Sequence, residues 1–131
     1  MTLVPTDPRT IAILVARARV VIGLIALVLP GVLARLMLGS SSAHARVMLR
    51  MVGIRDVALG VGAITSLKEQ TQDAEWVSMG ALSDGGDAVA LLIAPTSFRR
   101  VTSGLVAAGA SALGLALSRQ LADERAASVS D

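Results

Sequence analysis

The chain contains no cysteine. Disulfides, thiolate metal ligands, CxxC redox chemistry and a cysteine nucleophile are therefore excluded. Aromatic residues are almost missing too: Trp76 and Phe98 are the whole set, 2% of 131 residues. Soluble cores lean on aromatics for buried area, whereas a membrane bundle can be built from Ala, Val, Leu and Gly. One histidine is present, His44, in a loop without ligand-type neighbours, where a solvated imidazole is the ordinary reading. Ser40 to Ser42 lack the G-x-S-x-G setting of an activated serine. Basic stripes interleaved with aromatics are also lacking, so nucleic acid is not an expected partner despite a net charge of +2 and a pI near 10.4.

What is present is apolar. Hydrophobic residues make up 53% of the chain, and mean hydropathy is +0.69. The length fits a single domain, residues 1–131. Arginine outnumbers lysine eleven to one, which beside so much Ala, Gly and Val reads as coding bias of a GC-rich genome.

Four apolar runs follow one another. Thr6-Asp7-Pro8 is a helix start, with a capping residue and proline at the first helical position. From Pro8 to Leu29 the run would extend roughly 33 Å as a helix, enough to cross a bilayer. Arg17 and Arg19 interrupt it and no clean cleavage site follows, so a retained span fits better than a signal peptide. The expected fold is all-α: an integral membrane bundle with spans at about 9–29, 47–67, 76–94 and 101–118. Gly39 to Ser42, Lys68 to Glu75 and Thr96 to Arg100 are its loops, and a polar tail at 119–131 is expected to fray. Trp76 reads as an interfacial anchor. Leu29-Pro30 with Arg35 recurs as Ala94-Pro95 with Arg100 at an offset of 65, which suggests two repeated helical hairpins.

The charges inside the spans are the informative residues: Arg17 and Arg19 in the first, Arg55 and Asp56 in the second, Asp84 and Asp87 in the third. A charge at the bilayer centre costs roughly 2.5–3.5 kcal/mol on insertion scales, so these side chains must pair or face a cavity. Arg19 and Asp84 each stand eleven residues before a proline, which puts them at matching depth. Asp84 and Asp87 are three apart and share a helix face. The stripes Gly80, Asp84, Asp87, Leu91 and Gly53, Asp56, Gly60, Ala63 set these acids among small residues. The candidate site is an intramembrane polar cluster of Arg19, Arg55, Asp56, Asp84 and Asp87. Counting Arg17 as well, three cations match three anions and the cluster is neutral. A second topology stays open, in which the first span begins after Arg19, kinks at Pro30 and runs to Leu38, with Arg17 and Arg19 snorkelling to the interface.

Asp84-Gly85-Gly86-Asp87 invites a metal reading, because paired carboxylates suit Mg²⁺ when a phosphate completes the shell. The faint echo of the CDP-alcohol phosphotransferase motif fails, since the second acidic cluster and the Ala-Arg pair are lacking. No metal, cofactor or catalytic residue is expected. The fourth run is rich in small residues (Ser103, Ala107, Ala110, Ser111, Gly114, Ser118), suited to tight packing within the chain or against another copy.

Arg50-Met51-Val52-Gly53-Ile54-Arg55-Asp56-Val57-Ala58-Leu59-Gly60, together with Trp76 and Gly80 to Ala88, resembles a pattern in small actinobacterial membrane proteins of unknown function, themselves distantly DoxX-like. The resemblance covers about residues 9–118, and Arg19 to Gly23 fits its first-span element. It implies a four-helix membrane fold in the cell membrane and no established activity. The expected function is non-enzymatic: a bundle stabilised by its Arg/Asp cluster, or one that binds a lipid or apolar molecule, or an accessory subunit or homo-oligomer within the lipid bilayer. The alternative is a redox-associated or transport component that uses Asp56, Asp84 and Asp87 for protons or cations. Basic residues of the loops and termini divide evenly between the two sides (Arg9, Lys68, Arg119 and Arg125 against Arg35, Arg46, Arg99 and Arg100), and the termini are expected in the cytoplasm.

Overall fold

The computed structural model describes residues 7–93 and 98–130, with the side chain of Ser130 left out. Five helices follow in order: α1 (Pro8–Val28), α2 (Pro30–Leu38), α3 (Ala43–Glu69), α4 (Asp73–Ile93) and α5 (Phe98–Ser130). The expected third-span end at Ala94-Pro95 and the start of the following turn lie outside the described residues.

Local chemistry explains the boundaries. Asp7 caps α1, accepting from the Thr10 amide at 2.9 Å and the Thr10 hydroxyl at 2.6 Å. Those bonds, the side-chain one first, hold the Asp7 carboxyl below its ordinary value. Pro30 has no N–H to continue α1, so the helix breaks at Leu29 and restarts as α2. Gly39 ends α2 in the left-handed conformation at φ 77°, where its missing Cβ removes the strain. Ser42 then caps α3, accepting from the Ala45 amide.

α1 packs mainly on α3, and α4 mainly on α5; α3 also meets α4, and α1 meets α5. The four long helices thus form a ring in which α1 and α4 face each other diagonally. α1 and α4 begin at Pro8 and Asp73, an offset of 65. The start of α1 and the end of α5 lie at one end of the bundle, since Arg9 and Arg125 both reach Asp73 there. At the opposite end Arg99 donates to the Arg35 carbonyl and Ser103 to the Met37 carbonyl.

The core is made of small residues. Ala12, Ala16, Ala26, Ala63, Ala81 and Ala88 are buried, with Leu67, Leu117 and Leu121 closing the Asp73 end. α1 and α3 approach so closely that a Cβ on Gly53 would stand 2.7 Å from the Gly23 carbonyl oxygen. The large apolar side chains point outward: Ile22, Leu24, Met48, Met51, Ile54 and Leu82 are all exposed.

One expectation changes and two are refined. Residues 119–130 do not fray: α5 continues to Ser130, because Leu121 is buried and Arg125 is held by Asp73. The stretch after Pro30 is helical to Leu38, as the second topology has it, but as the separate helix α2 packed on α3. Trp76 is half-buried, its ring against Gly62 of α3, where only a residue without a side chain leaves room.

Candidate functional site

Arg19 reaches inward from α1 across the bundle diagonal. Its Nη1 donates to Asp56 Oδ1 of α3 at 3.2 Å, and its Nη2 donates to the Gly80 carbonyl of α4 at 3.1 Å and to Asp84 Oδ2. Gly80 is what admits it, with the guanidinium lying 3.4 Å from where a Cβ would be. Arg55 of α3 grips Asp87 of α4 with two parallel bonds of 2.9 and 2.6 Å, the fork geometry that arginine offers a carboxylate. The same guanidinium donates to Asp56 Oδ1 through Nη2 at 3.0 Å and Nε at 3.3 Å. All five residues therefore belong to one network spanning α1, α3 and α4, with Asp56 as the joint between its two arginines.

Burial is graded. Side chains of Arg19, Asp56 and Asp84 are 11%, 12% and 16% exposed, while Arg55 and Asp87 are each 34% exposed. The network opens at the Arg55–Asp87 edge and is closed around Arg19. Gly53, Asp56, Gly60 and Ala63 are all buried along the α1 side of α3, and this small-residue stripe brings α1 near enough for Arg19 to reach Asp56.

Arg17 does not belong. It is exposed, because two residues along a helix turn a side chain roughly 200° from Arg19. The expected balance of three cations against three anions therefore becomes two against three.

A second polar cluster was not expected from the sequence. Asp73, 1% exposed, forms an ion pair with Arg9 Nη2 at 2.8 Å and accepts from Arg125 Nη2 at 2.7 Å. Arg9 also donates to the Leu67 carbonyl and Arg125 to the Gln70 carbonyl. This clamp ties the start of α1, the α3–α4 turn and the extension of α5 together. It depends on α5 continuing past Ser118, and no local signal in the sequence marks that.

A cavity of about 20 Å³ adjoins the network, lined by Arg19, Asp84, Trp76, Ala12 and Leu117 among others. That is room for a water and too little for a lipid chain. Among the described residues no group of three or more His, Cys, Asp or Glu could hold a metal ion. Gly85 meets Ser111 of α5, while nothing lies near Gly86; Asp84 and Asp87 take guanidinium partners. His44 is exposed. In α5, Ser111 and Gly114 pack on α4 and Ser103 bonds to α2, so at least these small residues serve contacts within the chain. α1 and α5 are long and apolar enough to cross a membrane by length and composition, and α3 and α4 fall short of that measure. Comparison with known protein families, with curated proteins and with solved structures finds no match for this chain.

Proposed function

We propose that the chain is an integral membrane protein of four spans, α1, α3, α4 and α5, in which the Arg/Asp network locks the helices together without catalysing a reaction. The observation that carries this reading is the inverted distribution of size and polarity. Alanine and glycine fill the interior, paired charges cross it, and large aliphatic side chains cover the outside. In water such a surface would aggregate; in a bilayer it faces lipid, and small residues are what bring membrane helices together.

The charges that lower the apolarity of α3 and α4 include Arg55, Asp56, Asp84 and Asp87, the residues turned inward and paired. Outward, these helices present Met48, Met51, Ile54, Leu82, Val89 and Ile93. α3 and α4 would run about 40 and 32 Å, enough to span. Arg17 has a way out of the hydrocarbon, because helical side chains lean toward the N terminus and its long stem reaches back toward the Pro8 end. The resemblance of the Gly-x-Arg-Asp and Asp-x2-Asp elements to small actinobacterial membrane proteins would fit this architecture.

The water-sized cavity favours the lock over an internal site for a lipid or apolar molecule. Such a bundle would serve as a structural or accessory component in the cell membrane. The test is resistance of the membrane-bound protein to alkaline carbonate washing, with single cysteines introduced at residues 3, 40, 71 and 128 of this cysteine-free chain. Residues 3, 71 and 128 should label from one side and residue 40 from the other. Release by carbonate, or labelling of 3 and 128 from opposite sides, would overturn the proposal.

A further inference from the structure

The network does not balance. Two guanidiniums, Arg19 and Arg55, face three carboxylates, Asp56, Asp84 and Asp87. Arg17 is turned away from it. α5 brings no charge between Arg100 and Arg119. With every group ionised, one negative charge is left over. In water the surplus would be solvated. Within a bilayer an uncompensated carboxylate costs several kcal/mol, and such a group neutralises itself by taking up a proton.

The hydrogen bonds say which carboxylate does so. Asp56 Oδ1 lies between both arginines and accepts three bonds from them. Asp87 is held at both oxygens by the Arg55 fork. Asp84 accepts from Arg19 alone, through Oδ2. Among the described residues its Oδ1 has no hydrogen-bond partner, and the water-sized cavity is walled in part by Asp84 and Arg19. The charged groups around Asp84 are Arg19 from α1, Asp56 and Arg55 from α3, and Asp87 on its own helix. A proton on Asp84 Oδ1 removes the surplus charge and displaces no hydrogen bond.

We infer that the network is a single-proton site: at neutral pH it holds one exchangeable proton on Asp84, in contact with water through the adjoining cavity. The inference rests on the membrane reading of the bundle, and it turns a passive lock into a group able to take up and release a proton inside the membrane.

Infrared spectroscopy of the protein in phosphatidylcholine vesicles tests it. At neutral pH the wild type should show a carboxylic-acid C=O band that shifts on exchange into D2O and is missing in Asp84→Asn. Since the amide copies the protonated acid, Asp84→Asn should melt within about 2 °C of wild type at neutral pH. Wild type should lose melting temperature in alkaline buffer, while the variant holds level. Lack of an acid band in wild type overturns the inference, and no variant has to fold for that result. So does a band that survives in Asp84→Asn, or a fall of about 10 °C in that variant at neutral pH. A missing band together with stabilisation by sodium or potassium ions would assign the balancing charge to a metal cation instead. Carbonate washing reports on membrane insertion separately, so failure of the membrane reading is not mistaken for failure of the proton site.

Discussion

Removing the Arg19 guanidinium should do more damage than any other single change in the network. Arg19→Met keeps a long flexible stem for packing and deletes the charge. Asp56 then loses one of its two cations, and the Gly80 carbonyl and Asp84 lose their donor. The side chains concerned are 11–16% exposed, so water cannot replace what is lost. Breaking a buried ion pair from one side costs about 3–5 kcal/mol, which for a chain of this length lowers the melting temperature by roughly 10 °C or more. Adding Asp56→Asn removes a stranded charge while keeping its shape. The double variant should therefore lie above the sum of the two single effects by about 1–3 kcal/mol. Arg17→Met is the control: it is exposed, and it should stay within about 0.5 kcal/mol of wild type. Thermal unfolding in detergent, followed by the fluorescence of Trp76, reads wild type and all four variants, because that ring sits at the α3–α4 contact. The reasoning is refuted if Arg19→Met melts no lower than Arg17→Met, or if the effects of Arg19→Met and Asp56→Asn simply add.

Three other outcomes follow from the packing and the caps. Gly53→Val should cost about 1–3 kcal/mol, because its Cβ would meet the Gly23 carbonyl oxygen at 2.7 Å and the Ala26 Cβ at 3.1 Å; an unchanged melting temperature would contradict the α1–α3 approach. Asp73→Ala should release Arg9 and Arg125 together, so trypsin should cut at Arg119 and Arg125 faster than in wild type, and equal rates would show that the clamp does not hold the end of α5. The Asp7 cap should matter above acid pH only. Its carboxyl is held below the ordinary 3.8 in the folded chain, so its contribution is full above that value and disappears as pH falls through the lower folded value. The melting difference between wild type and Asp7→Ala should therefore be present at neutral pH and vanish in strong acid; a difference that persists in acid would count against the carboxylate as the cap.

Most of the network was legible because charge in an apolar run is costly and cost restricts placement. Arg19 and Asp84 could be matched by their distance from two prolines, and Asp84 and Asp87 by their spacing of three. The caps at Asp7, Gly39 and Ser42 follow from residue chemistry alone. The direction of Arg17 was also readable, since Arg17 and Arg19 cannot share a helix face, but counting charges by span conceals which side of the helix they occupy. The Asp73 clamp was not readable. It joins residues 9, 73 and 125, and the last of these lies in a polar stretch whose helicity depends on Leu121 being buried by the rest of the bundle. Helicity up to Leu38 was legible as a kink at Pro30, but the separate helix α2 was not, because proline here breaks α1 and also starts the next helix.

The spacing of 65 residues between Arg19 and Asp84 has an evolutionary corollary. α1 and α4 begin at Pro8 and Asp73, displaced by that same interval, so two halves descended from one hairpin would carry this touching pair at corresponding places. Corresponding places that touch would mark the axis relating such halves. If the bundle were assembled from two separate copies of one hairpin, the residue on that axis would face its own double, arginine against arginine or aspartate against aspartate. Like charges in contact would oppose assembly. Joining the halves in one chain lets each side of the axis mutate independently, so that an arginine can stand opposite an aspartic acid. The Arg19–Asp84 contact is thus an arrangement open to a fused chain and closed to a symmetric pair of identical ones.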